Sequence, residues 1–206
     1  QRWGNPHYRW DVMAEDGYSW WIRRFKITLQ FVDLIRLDHF RGFEAYWEIP
    51  ASEPTAVQGK WVDGPGIKFL RVVEAGLNGL PIIAEDLGLI TPGVIEMRDT
   101  FNLPGMKILQ FAWGNLDEAS GFLPHAHVPN CIVYTGTHDN NTSVGWWWEE
   151  TNDHIREHLR SYIDKDVQEP HWALIRLAMM SVAHTAIIQL QDVMGLGGDC
   201  RMNKPQ

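Results

Sequence analysis

Short apolar runs alternate along this chain with segments of helical spacing, and this alternation limits the available folds more than any other feature. Runs of about four to eight apolar residues bounded by polar or turn-forming residues are typical of buried parallel strands. We predict strands at residues 31–37, 81–85, 106–112, 131–134 and 185–190. Helical periodicity and capping residues predict helices at residues 20–30, 66–75, 91–101, 151–163 and 171–183. This order of elements predicts an α/β fold with a parallel sheet and right-handed crossovers.

Two architectures fit that order, a doubly wound open sheet and a (β/α)8 barrel. Gly195-Leu196-Gly197-Gly198 is too weak a match to a dinucleotide-binding turn, and the acidic partner of such a turn is absent. Acids at several strand ends favour the barrel. Because only five strands are predicted and a barrel has eight, we expect residues 1–206 to form a single partial barrel domain of a longer enzyme. Residues 42–65, rich in proline and glycine, are predicted to form a loop.

Charge and composition exclude several classes of partner. The 206 residues carry 18 basic and 26 acidic side chains, and the net charge of −8 argues against binding to nucleic acid. No apolar stretch approaches the length of a membrane span, and no signal-like start is visible. Cys131 and Cys200 do not make a disulfide scaffold, which indicates a reducing compartment. We therefore expect a cytoplasmic protein; its oligomeric state does not follow from the sequence.

Three acids follow predicted strands: Asp38, Glu85 and Asp139. In parallel α/β folds, chemistry gathers at the carboxyl ends of the strands. Three acids at such ends can converge on one pocket, where a pair of carboxyl groups suits the cleavage of a glycosidic bond. Each acid taken alone has a structural alternative, and the three together favour a sugar site.

Asp38 has an arginine on the same side of its strand. Residues 36 and 38 point the same way because side chains alternate along a strand. A neighbouring guanidinium lowers the pKa of a carboxyl group and keeps it ionised, as a glycosidase nucleophile requires. A purely structural pair between Arg36 and Asp38 is the alternative.

Glu85 follows an apolar approach, Ile82-Ile83-Ala84, which predicts partial desolvation of its carboxyl group. Desolvation raises the pKa of a carboxyl group and allows it to donate a proton near neutral pH. Asp86 should point to the other side and cap the following turn.

Polar residues 137–141 follow the predicted strand 131–134. Thr137, His138, Asp139, Asn140 and Asn141 supply donors and acceptors suited to sugar hydroxyl groups. The alternative is a turn rich in asparagine and aspartate, which such residues favour in any case.

His125 and His127 raise the question of a metal, since two histidines two residues apart can bind zinc. They lie in a proline-containing loop without a cysteine pair, so we predict neither a metal nor a cofactor. We interpret His39 and His138 as donors to hydroxyl groups rather than metal ligands. The run 146–148 is three tryptophans, of which at least one must be exposed, either as a sugar platform or against the next helix.

Ordered strings across the whole chain resemble the 4-α-glucanotransferase family, also called amylomaltase or disproportionating enzyme, within the α-amylase superfamily. The strings are Trp3-Gly4-Asn5-Pro6, Asp16-Gly17-Tyr18-x-Trp20-Trp21, Arg36-x-Asp38-His39-Phe40-Arg41-Gly42-Phe43, Gly64-Pro65-Gly66, Ile83-Ala84-Glu85-Asp86-Leu87-Gly88, Leu103-Pro104-Gly105-Met106, Tyr134-x-Gly136-Thr137-His138-Asp139-Asn140 and Leu190-Gln191-Asp192-x-x-Gly195-Leu196.

The resemblance implies roles for the three acids: nucleophile for Asp38, general acid/base for Glu85 and transition-state stabiliser for Asp139. It implies that Arg36 and His138 line the cleavage subsite. It places Trp3 and Phe111 near the donor and acceptor sugars. His39 and Asn140 complete the predicted substrate-binding residues.

The implied fold is a (β/α)8 barrel of which this chain supplies about strands four to eight. The implied activity is retaining transfer of α-1,4-glucan segments, with malto-oligosaccharides and α-1,4-glucans as donor and acceptor. A hydrolase and a non-catalytic glucan-binding remnant are the alternatives. Gln189 stands where the family usually has proline before Leu-Gln-Asp. Asn115 stands where the family often has an acidic residue in the loop after Phe111.

Overall fold

The computed structural model describes residues 2–115 and 119–205. These residues form two compact units, which are divided after Gly105. Strands and helices alternate in both, and parallel strand pairs occur in each, so the predicted α/β class is confirmed. No helix in the described ranges has both the length and the apolar character needed to cross a membrane.

The first unit is built on a parallel pair of strands with helices around it. Its elements are α1 (Trp10–Glu15), α2 (Ser19–Thr28), β1 (Ile35–Leu37), β2 (Ala45–Glu48), β3 (Lys60–Asp63), α3 (Gly66–Leu77), β4 (Ile82–Ala84) and α4 (Pro92–Thr100). β1 pairs with β4 in parallel, with Leu37 opposite Ala84. β4 is buried throughout, as its apolar composition predicts.

An aromatic core holds the helices of the first unit in place. Helix α2 contributes Trp21 and Phe25, which are four residues apart and so share one face. Phe43 and Phe69 stack with ring centroids 5.2 Å apart, and Phe69 is completely buried. Helix α4 begins at the capping Thr91, whose side chain accepts a hydrogen bond from the amide of Val94.

The second unit contains a three-stranded sheet covered by helices. Its elements are β5 (Gly105–Ile108, at the boundary of the units), β6 (Cys131–Tyr134), α5 (Ser143–Gly145), a π-helix (Trp146–Glu150), α6 (Asp153–Ile163), α7 (Pro170–Met179), β7 (Thr185–Ile187) and α8 (Leu190–Val193). The strand order is β5-β6-β7, and β6 pairs with β7 in parallel. Its core includes Trp113, Trp147 and Leu159.

Several predicted boundaries are wrong. The strand predicted at 31–37 is confined to β1, because Phe31, Val32 and Leu34 are exposed. The strand predicted at 106–112 ends at Ile108, where a 3₁₀ turn begins, and the strand predicted at 185–190 ends at Ile187. Apolar runs therefore identified these three strands but overestimated their length.

The predicted loop at 42–65 contains an antiparallel hairpin of β2 and β3. Trp47 lies opposite Trp61, with ring centroids 5.4 Å apart, and such cross-strand aromatic pairs stabilise sheets. The hairpin escaped prediction because its connection, residues 49–59, is long and rich in turn-forming residues. Helix α1 was also not predicted.

Candidate active site

Asp38 and Glu85 lie directly after two neighbouring parallel strands of the first unit. Leu37 and Ala84, the last residues of β1 and β4, are in register, so the next residue of each strand is an acid. The amide of Glu85 donates a hydrogen bond of 3.1 Å to the carbonyl of Leu37. The predicted strand-end position of both acids is therefore confirmed, and both occupy the same edge of the strand pair.

Arg36 and Asp38 form the ion pair that side-chain alternation predicts. The Arg36 Nη1 atom lies 2.6 Å from Asp38 Oδ1. The arginine side chain is 27% exposed and the aspartate side chain 76% exposed. The guanidinium thus fixes one oxygen of a carboxylate that is otherwise open to an incoming molecule.

Glu85 is half-buried, and both of its carboxyl oxygens are fixed by backbone amides. The amide of His39 donates to Oε2 at 2.7 Å, and the amide of Leu87 donates to Oε1 at 3.1 Å. Burial raises the pKa of Glu85 above its ordinary value of 4.5, and this effect outweighs the two amides and Arg36, which lower the pKa. The predicted desolvation of this carboxyl group is confirmed.

The turn at His39 links the segment that carries Asp38 to Glu85. His39 has a left-handed backbone conformation (φ 47°), and the next amide, of Phe40, donates to the carbonyl of Glu85 at 3.1 Å. The Phe40 side chain is completely buried and anchors the turn. The His39 ring meets the ring of Trp3 edge-on at 5.1 Å, and Trp3 is 61% exposed. Burial lowers the pKa of His39, which favours the neutral imidazole.

Asp86, the residue after Glu85, is bound to helix α4. We expected it to cap a turn; the structure shows its carboxylate 2.7 Å from Nη1 of Arg98, with the aspartate side chain only 5% exposed. This ion pair ties α4 to the segment that follows Glu85.

In the second unit, Asp139 lies in the segment after β6. Its Oδ2 atom is 3.3 Å from Nε2 of His138, and its Oδ1 atom accepts a hydrogen bond of 3.2 Å from Nδ2 of Asn203. Arg201 donates to the backbone carbonyl of Asp139 at 3.2 Å. The side chains of His138 and Asp139 are both more than half exposed.

Asn140 uses its side-chain oxygen inside this segment. The oxygen accepts hydrogen bonds from the amide of Thr137 at 2.9 Å and from its hydroxyl group at 2.8 Å. These contacts are the ones expected of the turn-forming alternative.

Phe111 and the three tryptophans 146–148 lie outside the segment that carries Asp139. Phe111 is 42% exposed on the 3₁₀ turn after β5, where its ring meets Phe122 edge-on at 5.6 Å. Trp146 and Trp147 are buried whereas Trp148 is 62% exposed, which confirms that one of the three tryptophans faces solvent.

The two histidines considered as metal ligands are engaged in hydrogen bonds. His125 contacts the hydroxyl group of Tyr162 at 3.0 Å, and His127 lies between Ser181 Oγ at 2.7 Å and the carbonyl of Phe122 at 2.9 Å. Within the described part of the chain, no three His, Cys, Asp or Glu side chains are grouped so that they could hold a metal ion.

The predicted residues therefore fall into two groups. The first unit brings together Asp38, Glu85, Arg36, His39 and Trp3. The second unit joins Asp139, His138 and Asn140 in one segment and carries Phe111 on a separate turn.

No role was predicted for Asp192, although the structure buries it completely beside the segment that carries Asp139. Asp192 comes five residues after the end of β7, in helix α8, and its place in the string Leu190-Gln191-Asp192 that resembles the family was the signal that could have identified it.

Comparison with known proteins gives one consistent family. A family model described as 4-alpha-glucanotransferase matches residues 1–206. Proteins named 4-alpha-glucanotransferase from Synechocystis and Thermus thermophilus are 50% and 49% identical to the chain over its whole length. The alignments cover 41% and 42% of those proteins, so the chain spans about two-fifths of their length.

Solved structures agree with these relatives. An amylomaltase from Streptococcus agalactiae, in complex with acarbose, superposes with a TM-score of 0.92 at 35% identity and covers the whole chain and 41% of its own length. An amylomaltase from Corynebacterium glutamicum gives a TM-score of 0.76 at 19% identity over 98% of this chain and 34% of its own, which shows similarity of fold alone.

Proposed function

The chain belongs to the 4-alpha-glucanotransferase family, and from this we propose that the protein transfers α-1,4-glucan segments. The donor is a malto-oligosaccharide or α-1,4-glucan, and the acceptor is the 4-hydroxyl group of another glucan or of glucose. The anomeric configuration is retained through two displacements.

The observation that carries this proposal is the placement of Asp38 and Glu85. They follow paired residues of two parallel strands, and their surroundings differ. Asp38 is open and held by Arg36, as a nucleophile must be, whereas Glu85 is half-buried with a raised pKa, as a proton donor must be.

In the first displacement, an oxygen of Asp38 attacks the anomeric carbon of the donor, and the bond between that carbon and the glycosidic oxygen breaks. Glu85 gives its proton to the departing oxygen, which leaves as the 4-hydroxyl group of the released glucan. The amides of His39 and Leu87 hold the Glu85 carboxyl group in place throughout.

In the second displacement, Glu85 removes the proton of the incoming 4-hydroxyl group, whose oxygen attacks the anomeric carbon. The ester bond to Asp38 breaks, a new α-1,4 bond forms and both acids return to their starting states. No metal or organic cofactor takes part in these steps.

The remaining site residues are part of the same proposal. Asp139 stabilises positive charge that develops on the sugar ring, Arg36 and His138 line the cleavage subsite, and His39 and Asn140 bind hydroxyl groups. Trp3 and Phe111, both exposed, stack on the donor and acceptor sugars. The acarbose in the related amylomaltase structure supports an oligosaccharide as the ligand.

We also infer that the 206 residues supply about strands four to eight of a (β/α)8 barrel in a longer cytoplasmic enzyme. The parallel strand pairs and the acids at strand ends support a barrel, and the two-fifths coverage of the relatives supports a larger whole. A further relative, the 4-alpha-glucanotransferase of Solanum tuberosum, is named as chloroplastic/amyloplastic.

Incubation of the full-length protein with maltotriose tests the activity. We expect a ladder of longer glucans together with glucose, because the acceptor is another glucan. Asp38→Asn should abolish the ladder, and Asp33→Asn, at an exposed aspartate shortly before β1, should leave it unchanged. Glucose and maltose without longer products would instead indicate a hydrolase, and full activity of Asp38→Asn would contradict the nucleophile assignment.

A further inference from the structure

Asp192, in helix α8, is a completely buried carboxylate with hydrogen-bond donors on both oxygens. The amide of Ser143 donates to Oδ1 at 2.6 Å. The hydroxyl groups of Ser143 and Thr135 donate to Oδ2 at 2.8 and 2.5 Å. Both partners are themselves completely buried.

These two partners are the ends of the segment that carries Asp139. Thr135 directly follows the last residue of β6, and Ser143 is the first residue of α5. The loop between them, residues 136–142, contains His138, Asp139 and Asn140. One carboxylate therefore holds both ends of this loop: the hydroxyl groups of Thr135 and Ser143 share Oδ2, and the Ser143 amide also binds Oδ1.

Two further contacts hold the same loop from inside the second unit. Gln189, the residue before α8, donates from its side-chain amide to the carbonyl of Thr137 at 2.7 Å. Gln110 donates to the carbonyl of Asn141 at 2.9 Å, and its side chain is buried. Proline, which the family resemblance leads one to expect at position 189, has no side-chain donor for Thr137.

Burial of a carboxylate carries a free-energy penalty that an apolar side chain does not. Transfer of a charge from water into the interior is unfavourable unless hydrogen bonds compensate for it, and apolar residues of similar volume stabilise at least as well. Hydrogen bonds to a charged acceptor are short and strong, so they fix geometry more tightly than apolar packing. The carboxylate of Asp192 is thus better explained by loop geometry than by stability.

We propose that Asp192 is a positioning residue for the transfer reaction: it holds loop 136–142 so that Asp139 keeps its place relative to β6. This inference rests on the proposed function, because it assumes that Asp139 acts in catalysis. Gln189 adds a hold on Thr137, within the loop.

Asp192→Asn in the full-length protein tests this role with little change in volume. Asparagine can accept from the Ser143 amide, but its NH₂ group faces hydroxyl groups that must then rotate to accept, which loosens the hold. We expect kcat for maltotriose to fall on the order of 10–100-fold, since small displacements of catalytic groups have effects of this size. KM should change far less, because the lost interaction acts in the transition state.

A matched pair of serine variants separates positioning from stability. Ser143→Ala removes a hydroxyl group bound to Asp192, and Ser181→Ala removes one bound to His127, outside the loop. We expect Ser143→Ala to lower kcat and Ser181→Ala to leave kcat and KM unchanged, with both measured well below their melting temperatures. The serine pair decides the question even if Asp192→Asn fails to fold.

The outcomes also separate this inference from the proposed function. Wild-type protein without activity on maltotriose would refute the proposed function itself. Activity that is lost in Asp139→Asn but kept at the wild-type kcat in folded Asp192→Asn and in Ser143→Ala would overturn the positioning role alone. Equal loss of kcat in Ser143→Ala and Ser181→Ala would also overturn it, since it would reveal a general effect on the fold.

Discussion

The proposed role of Glu85 as a proton donor depends on the burial of its carboxyl group. Glutamate on a protein surface is ionised at neutral pH and has no proton to give. Burial at the end of β4 raises the pKa of Glu85, even though two backbone amides and Arg36 favour its ionised form. The environment thus keeps a proton on this carboxyl group at a pH where an exposed glutamate has lost it.

The raised pKa of Glu85 sets the sign of a pH effect. As the pH rises through this pKa, the proton donor is lost, so kcat/KM for maltotriose should fall along an alkaline limb whose midpoint lies above 4.5. A maltotriosyl fluoride donor is the control, because fluoride leaves without a proton. The glycosylation rate from this donor should show no such limb; the same limb for both donors would contradict the assignment of Glu85.

The residue-scale geometry of the first unit could be predicted from local sequence. The ion pair of Arg36 with Asp38 follows from the two-residue period of a strand, and the desolvation of Glu85 follows from the apolar residues before it. The role of Asp192 could not be predicted, because its partner Thr135 lies 57 residues away along the chain. Contacts of such separation depend on the tertiary fold.

Elements were predicted well where their burial is a local property. The strand at 131–134 is confirmed at both ends, because all four residues are buried. The hairpin of β2 and β3 was missed, since its stability depends on the pairing of Trp47 with Trp61 across a long connection. Phe31 and Leu34 are apolar, as strand residues often are, yet both are exposed and lie outside β1.

Helix α4 is joined to the segment after Glu85 by the ion pair of Arg98 with Asp86, and removal of one partner of this pair should be strongly destabilising. Arg98→Met should lower the free energy of unfolding of the full-length protein by about 3–5 kcal/mol, because it leaves a buried carboxylate without its arginine. Urea denaturation measures the change. Arg71→Met, at an exposed arginine of α3, is the control and should have little effect. Equal free energies of unfolding for the two variants would show that the ion pair does not stabilise the fold.

On the scale of the whole molecule, both units expose large apolar side chains. In the first unit, Phe31 is 81% and Leu34 54% exposed beside β1. In the second unit, Met179 and Met180, at the end of α7, are 67% and 75% exposed. Among the described residues β1 pairs with β4 alone, and exposed apolar surface beside such an edge strand favours association with other chains. The proposed barrel would cover such surface with its remaining strands.

The 206 residues expressed alone should therefore aggregate or remain inactive on maltotriose. Size-exclusion chromatography with light scattering measures association, and the full-length protein at the same concentration is the control. Monodisperse, monomeric and active material from the 206 residues would refute both this prediction and the proposed need for further strands.

A covalent sugar on Asp38 is the most direct test of the central claim, that Asp38 and Glu85 perform retaining transfer. Glu85→Gln in the full-length protein, incubated with maltotriosyl fluoride, should form the ester without acid assistance and release it slowly, because no base activates the acceptor. Mass spectrometry of a proteolytic digest should then find the added maltotriosyl mass on the peptide that contains Asp38, and Asp38→Asn/Glu85→Gln should lack it. The sugar on a different residue, or continued turnover without any adduct, would contradict the account.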